Sequence, residues 1–369
     1  MKTVCKINHC AGCMACVDIC PRDAIRVEDS LSEYNAIIEE DKCINCNLCH
    51  KVCQECNSPI FRSPILWRQG WAKEENIRCS SSSGGFAAAI EKAFVKQGGI
   101  VCSCVFEKGL FKFSCEEKEE NLSKFSGSKY VKSNPEGIYK KILCFLKEGR
   151  KVLFVGLPCQ AAAVKNYVGN YQNLYTVDLI CHGTPSPKIL DLFLQDHNSS
   201  LNQLESLDFR IKNNFSLKNK KIEFSVPIVR DHYSMTFLNA ATYTDNCYQC
   251  KYAKLERISD LTLGDSWGSD LPEEQKRKGI SLALCQTEKG QELLQQGNLN
   301  LVGVDLKKAI QNNCQLNSPS NEPCQRKKFF NMLKKGKKFH WIILRCYPSR
   351  YIKDLIKTFV YKFCRLFNR

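Results

Sequence analysis

Cys10, Cys13, Cys16 and Cys20 follow the spacing C-x2-C-x2-C-x3-C, and Cys43, Cys46, Cys49 and Cys53 repeat it 33 residues later. Three thiols this close in sequence can wrap one iron-sulfur cube, and the fourth cysteine of each run ligates the other cube in two-cluster ferredoxins. The spacing predicts one 4Fe-4S cluster on Cys10, Cys13, Cys16 and Cys53, and a second on Cys43, Cys46, Cys49 and Cys20. The first run ends Cys20-Pro21, the usual pair; the second ends Cys53-Gln54 and departs slightly. Zinc sites also use CxxC pairs but rarely show four cysteines at this spacing, let alone twice. Cys5 and Cys56 are left over and read as structural.

With 24 cysteines in 369 residues, the alternative is a disulfide scaffold, but such chains are short and exported. The opening MKTVCKINHC has no apolar core of the kind a secretory signal needs, so a reducing, cytoplasmic setting is expected, under anaerobic conditions. No run of 18 apolar residues occurs, so no membrane-spanning helix is expected. The net charge of +16 is unevenly spread: −3 over residues 1–56 and +13 over residues 326–369. Basic character confined to a tail argues against a nucleic-acid-binding core.

Along the chain, the pattern predicts an α+β protein: a Cys-rich module over 1–56, a linker over 57–79, a domain over 80–290 and a C-terminal extension over 291–369. Helices are expected over 86–97, 137–149 and 161–168, with strands over 99–106, 151–156 and 174–181. That alternation implies a largely parallel sheet covered on both faces. Antiparallel strands are expected over 205–238, and two more at 261–266 and 280–286. The last 44 residues read as a basic amphipathic appendage.

Four further groups of residues are candidates for chemistry. The run Ser80-Ser81-Ser82-Ser83-Gly84-Gly85-Phe86 stands at a helix start, where free N–H groups can bind phosphate or serve only as a cap. The run Ser126-Gly127-Ser128-Lys129-Tyr130-Val131-Lys132-Ser133 adds a cation and a ring, or is an ordinary turn. Cys159 and Cys181 follow strands at the edge where sites gather in parallel sheets, and Cys247-x2-Cys250 lies in a later loop. These four thiols can converge on a third cluster, form a zinc pair, or be buried as small apolar groups. In Asp260–Gly268, an Asp and a Trp framed by glycines suggest a chain passing a planar ligand, but a strand and tight turn explain them as well.

The runs SSSGGF (81–86), GSKYVKS (127–133), GLPCQ (156–160), DLICHGTPS (178–186), DNCYQCKYA (245–253) and DLTLGDSWG (260–268) together resemble the beta-subunit family of coenzyme F420 hydrogenases and dehydrogenases. Residues 1–56 resemble a bacterial-type dicluster ferredoxin fold. The resemblance implies an α/β FAD-binding domain with a mixed sheet. It implies FAD held near Ser82, Ser83, Gly84, Gly85, Ser128 and Lys129, and a third 4Fe-4S cluster on Cys159, Cys181, Cys247 and Cys250. It implies a relay from an external donor or acceptor, such as ferredoxin or a partner redox subunit, through the clusters to the flavin, which takes electrons singly and delivers two. It leaves the substrate open, since family members act on F420, on a chlorophyll intermediate or in surface-polysaccharide pathways. An enzyme with its own organic substrate is the leading expectation, and an electron-transfer subunit of a larger complex the alternative. No catalytic residue is assigned; His182 is a candidate proton donor.

In the tail, IKDLIKTFVYKFCRLF (352–367) spaces apolar residues at helical intervals with cations between them. Such a helix can lie in an anionic bilayer interface, or pack on the protein's own surface or a partner.

Overall fold

The computed structural model describes residues 2–367. A small antiparallel sheet of β1 (Lys2–Thr3), β2 (Ile25–Asp29) and β3 (Tyr34–Ile38) carries the N-terminal module, in the order β1-β3-β2. Two short helices, Ala15–Ile19 and Leu48–Val52, pack together across it. The sequence repeat is also a backbone repeat. Gly12 and Asn45 share a left-handed φ of 66° and 54°, and Met14 and Asn47 share one of 59° just before each helix. Asn tolerates that conformation well, so the second loop dispenses with the glycine of the first.

The rest is built on one eight-stranded sheet of β4 (Leu66–Ala72), β5 (Ile100–Glu107), β6 (Leu110–Glu116), β7 (Val152–Gly156), β8 (Leu174–Leu179), β9 (Leu261–Asp265), β10 (Ser281–Cys285) and β11 (Leu299–Val302). Its order is β11-β4-β10-β9-β8-β7-β5-β6. The central four, β9, β8, β7 and β5, are parallel, and the flanking strands are antiparallel. Residues 152–156 are all buried because both faces of β7 are covered. Leu153 and Val155 face the core of helices Phe86–Lys96 and Glu288–Gln296; Val152 and Phe154 face helices Ile138–Lys147 and Pro158–Val168. That second layer also receives Cys13, Ala15 and Val52, so the N-terminal module docks on the sheet's own helices.

Several expectations are corrected. Residues 57–79 are not a linker: β4 lies between β10 and β11, and helix Glu75–Ser80 follows it. Arg68 and Gln69 interrupt the apolar signal of β4, while pairing on both sides holds it in place. Residues 205–238 form no ladder. They hold isolated bridges Asp208↔Lys218 and Ile211↔Asn214, then helix His232–Leu238, because their apolar side chains fill a separate core. β6 was not anticipated; it pairs with β5, and the disulfide Cys102–Cys115 joins the two strands. The C-terminal extension does not start at 291, since β11 completes the main sheet. Nor are the last 44 residues all an appendage. Phe329, Phe330, Leu333, Phe339, Ile342 and Ile343 are buried in that separate core, which leaves only helix Pro348–Phe367 on the outside.

Candidate redox centre

The two cysteine loops show matching local chemistry. The Gly12 N–H donates to Cys10 Sγ at 3.4 Å, and the Asn45 N–H to Cys43 Sγ at 3.4 Å. The Ala24 N–H donates to Cys20 Sγ at 3.3 Å. Such bonds favour a charged sulfur, as ligation of iron requires. Cys10, Cys13, Cys16 and Cys53 are all buried and lie within one another's electrostatic reach. Cys20, Cys43, Cys46 and Cys49 line a single hollow, and Cys46 is exposed. Each hollow thus receives three thiols from one loop and one from the other.

Cys5, a leftover in the sequence, is placed against the first group. Its thiol hydrogen-bonds to the sulfurs of Cys10 and Cys53. Those bonds hold Cys10 below the usual thiol value and bring Cys53 down to about 6. Cys56 donates to the Val4 carbonyl at 3.4 Å. The position of Cys5 outside the repeat hid its role; a cysteine five residues upstream of a run carries no spacing signal.

The second assembly sits at the carboxyl edge of the parallel strands. β7 delivers Cys159 to the first turn of helix Pro158–Val168, with Pro158 at a position that needs no N–H. β8 delivers Cys181 two residues past its end, and a 3-10 helix, Asp245–Gln249, delivers Cys247 and leads into Cys250. All four thiols line one recess of about 770 Å³, its open mouth included. Gly183 makes the turn work: its φ is 137°, and a side chain there would strike the Tyr243 ring. The hydroxyls of Thr184 and Thr244 lie 3.9 and 3.5 Å from Cys247 Sγ. Burial and the neighbouring sulfurs push the Cys159 thiol up to about 12, and Cys250 to about 11. Four crowded thiols are poor as free thiolates and well suited to a shared cationic core, so this donor set fits an iron-sulfur cube. Among the described residues, no group of three or more His, Cys, Asp or Glu closes around a single metal ion.

The recess is walled on its other side by the N-terminal module, through His9, Ala11, Gln54 and Glu55. Lys132 Nζ donates to the Ala11 carbonyl at 3.0 Å, Lys251 Nζ to Glu55 O at 2.9 Å, and Tyr252 Oη to Gln54 O at 3.2 Å. Asp18 accepts from the Gly137 N–H at 2.8 Å, and the Tyr139 hydroxyl donates to the Cys13 carbonyl. Cys13 and Cys159 feel one another's charge across this seam.

The residues expected to hold FAD are brought partly together. The Ser128 N–H donates to Ser82 Oγ at 3.0 Å, which joins the two polar runs. Several of their other donors are spent within the protein. Ser83 Oγ donates to Ile280 O, and the Gly84 N–H to Ser281 Oγ, both at 3.0 Å. A side chain at Gly84 would meet Gly70 O at 2.4 Å, so this glycine lets the loop lie against the sheet. Gly85 takes a φ of 87° as the cap of helix Phe86–Lys96. Lys129 Nζ donates to the carbonyls of Phe125, Ser126 and Gly127 at 3.1, 3.2 and 3.1 Å. Lys212, not singled out in the sequence, grips the carbonyls of Arg78, Ser81 and Ser83. As the loop stands, Ser83, Gly84 and Lys129 do not present an anion site.

Beside these runs lies an aromatic patch. Tyr130 stacks on Phe215 and Phe237 at centroid distances of 5.9 and 4.5 Å. Arg210 lies 4.4 Å over Phe215 and 5.5 Å from Trp267, and pairs with Asp265 through two bonds of 2.6 and 2.8 Å. Phe237 meets Tyr243 at 5.3 Å, and Tyr243 lies within electrostatic reach of Cys181 and Cys247. A chain of rings therefore runs from the four-thiol recess to the Tyr130–Phe215 stack. His182 also adjoins it: burial keeps its imidazole below its usual value, with Asp265 and Arg210 nearby. In the Asp260–Gly268 segment, Asp260 accepts from the Thr176 N–H at 2.8 Å and from the Thr287 hydroxyl at 2.9 Å. It locks strands together, as a strand and tight turn require.

Comparison with known proteins now bears on this geometry. Residues 149–305 match the family model described as the C terminus of the coenzyme F420 hydrogenase/dehydrogenase beta subunit. Over this region, which is less than half of the chain, the protein is similar to the beta-subunit family of coenzyme F420 hydrogenases and dehydrogenases. Residues 8–26 match a 4Fe-4S binding domain, which covers the first cysteine run. The family match takes in Cys159, Cys181, Cys247 and Cys250 and ends just beyond β11. No curated protein matches the chain. Among solved structures, a chain of the F420-reducing NiFe hydrogenase complex from Methanosarcina barkeri is similar, at 20% identity and a TM-score of 0.48, over 69% of this chain and 91% of that one.

Proposed function

We propose that this protein is an electron-transfer subunit. It carries single electrons through three 4Fe-4S clusters between an external redox partner and a larger complex. The observation that carries the reading is the shared recess: its walls are the four thiols of the sheet edge on one side and the loop of the first cysteine run on the other. Each cube would have four thiolates, on Cys10, Cys13, Cys16 and Cys53; on Cys43, Cys46, Cys49 and Cys20; and on Cys159, Cys181, Cys247 and Cys250. The cubes supply one-electron chemistry. The chain's own groups set it, by N–H and hydroxyl bonds to sulfur, by burial, and by the cations Lys132 and Arg257 at the recess.

The second reading is an enzyme that passes the electrons to FAD and then to an organic substrate. The ring chain from Tyr243 through Phe237 to Tyr130 and Phe215 supports it, because it links the recess to a stack flanked by Ser82, Ser128 and Arg210. F420, or a precursor in surface-polysaccharide synthesis, is the substrate class this reading would take.

The two separate on anaerobically reconstituted protein. An electron-transfer subunit takes up electrons from dithionite-reduced ferredoxin, returns them to a protein partner and retains no flavin through gel filtration. Stoichiometric retained FAD, with turnover of a small molecule, would establish the enzyme instead.

A further inference from the structure

Helix Pro348–Phe367 docks on the protein with the wrong face for a water-soluble helix. Tyr351, Asp354, Thr358 and Tyr361, at intervals of three and four, are the residues turned inward. Asp354 is buried and pairs with Arg350 Nε at 2.8 Å, Thr358 Oγ1 donates to the Asp354 carbonyl at 2.7 Å, and Tyr351 meets the His232 ring at 5.8 Å. The opposite face carries Ile352, Ile356, Phe359 and Val360, exposed by 52, 58, 72 and 50%. An amphipathic helix normally buries such a stripe against its own core. This one turns polar and aromatic groups inward, Arg350 and Thr358 bonding to Asp354 within the helix and Tyr351 meeting His232, and leaves the stripe to another apolar phase.

The charges say which phase. At 100° per residue, Lys353 and Lys357 fall along one border of the stripe and Lys362 along the other. Residues 326–369 hold 14 Lys and Arg against one acid. A second copy would bring like charge against like, and protein interfaces are depleted of lysine at their centres. An apolar stripe bordered by snorkelling cations suits the headgroup boundary of an anionic bilayer. No described helix is long and apolar enough to cross a membrane, so the helix would lie in the plane of the surface. We propose that helix Pro348–Phe367 holds this protein on an anionic lipid surface through Ile352, Ile356, Phe359 and Val360, with Lys353, Lys357 and Lys362 on the headgroups. The inference is independent of the redox reading.

Flotation of the full reconstituted chain tests it, with vesicles of phosphatidylcholine alone and with phosphatidylglycerol added. The protein floats with the phosphatidylglycerol vesicles and far less with phosphatidylcholine alone. Lys353→Gln with Lys357→Gln weakens binding about 30-fold at low salt, from about 1 kcal/mol per cation. Ile356→Glu with Phe359→Glu abolishes it while the far-ultraviolet circular dichroism and the thermal midpoint stay unchanged, which shows that the variant folds. Phe359→Trp adds a readout that leaves the helix intact, since its emission shifts to the blue on vesicle addition. Wild-type protein left in solution with phosphatidylglycerol vesicles overturns the proposal, as does binding insensitive to the two glutamates. A concentration-dependent dimer broken by them would give the stripe to a second copy and overturn it equally.

Discussion

The ammonium of Lys132 donates to the main-chain carbonyl of Ala11 at 3.0 Å, and its charge is felt by Cys10 on one side and Cys159 on the other. Lys132 is buried and lies 5.0 Å over the Tyr34 ring. One cation therefore stands between the first cysteine group and the four-thiol recess. A positive charge there would favour the reduced form of the clusters proposed at both sites. Replacing Lys132 by Met is expected to lower both midpoint potentials by on the order of 50 mV, about a tenfold loss in electron affinity. Lys132→Arg keeps the charge and should restore most of the shift. Redox titration followed by electron paramagnetic resonance measures both.

The two N-terminal hollows differ in exposure, and that sets an order of damage. Cys46 is exposed, while Cys10, Cys13, Cys16 and Cys53 are buried. Brief exposure to air should release iron in two phases, the faster from the Cys43, Cys46 and Cys49 loop. Cys20→Ala should remove the fast phase and leave the slow one, because Cys20 lines that hollow although it belongs to the other run. Iron release followed with a chelator reports it.

Glu91 lies in the core on helix Phe86–Lys96, where burial pushes its carboxyl up to about 7, against 4.5 for a free one. A raised carboxyl binds its proton more tightly in the folded chain than in the unfolded one. The contribution of this one group to stability is therefore greatest below pH 4.5, falls as pH rises to about 7, and levels off above, a loss of up to about 3 kcal/mol. Glu91→Gln should stabilise the protein at pH 8 and flatten this part of its pH dependence. Denaturant unfolding of both forms at pH 5 and pH 8 checks the sign.

Arg210 and Asp265 form a two-bond pair with the Arg210 side chain 5% exposed. Asp265→Ala leaves that guanidinium buried without its counter-charge, at a cost of about 3–5 kcal/mol. Removing both partners, as Arg210→Met with Asp265→Leu, should recover much of the loss. Chemical denaturation of the single and double variants measures the difference.

What the sequence made legible was local. The cysteine spacing anticipated the grouping of thiols because three cysteines per loop lie within seven residues. Short apolar runs such as 152–156 announced the central strands because both faces are buried. What escaped depends on partners distant in the chain. β4 needs β10 and β11 beside it to be a strand, so Trp67 to Trp71 looked irregular. Residues 205–238 have strand-like composition but their apolar groups pack on helices from 325 onward. Lys132 read as part of a turn, because Ala11, its partner, lies 121 residues away. The four later cysteines were legible as a candidate set, but only the fold shows that their recess shares a wall with the N-terminal module.

The central claim is that the recess of Cys159, Cys181, Cys247 and Cys250 holds a cluster joined to the N-terminal pair. Iron and sulfide analysis with electron paramagnetic resonance, on anaerobically reconstituted wild type and on Cys159→Ser with Cys181→Ser, tests it most directly. The account predicts three interacting signals in the wild type. In the variant about a third of the iron is lost, and the two remaining signals keep their shape except for the lost coupling. Equal iron content in the two proteins, with unchanged spectra, would contradict it.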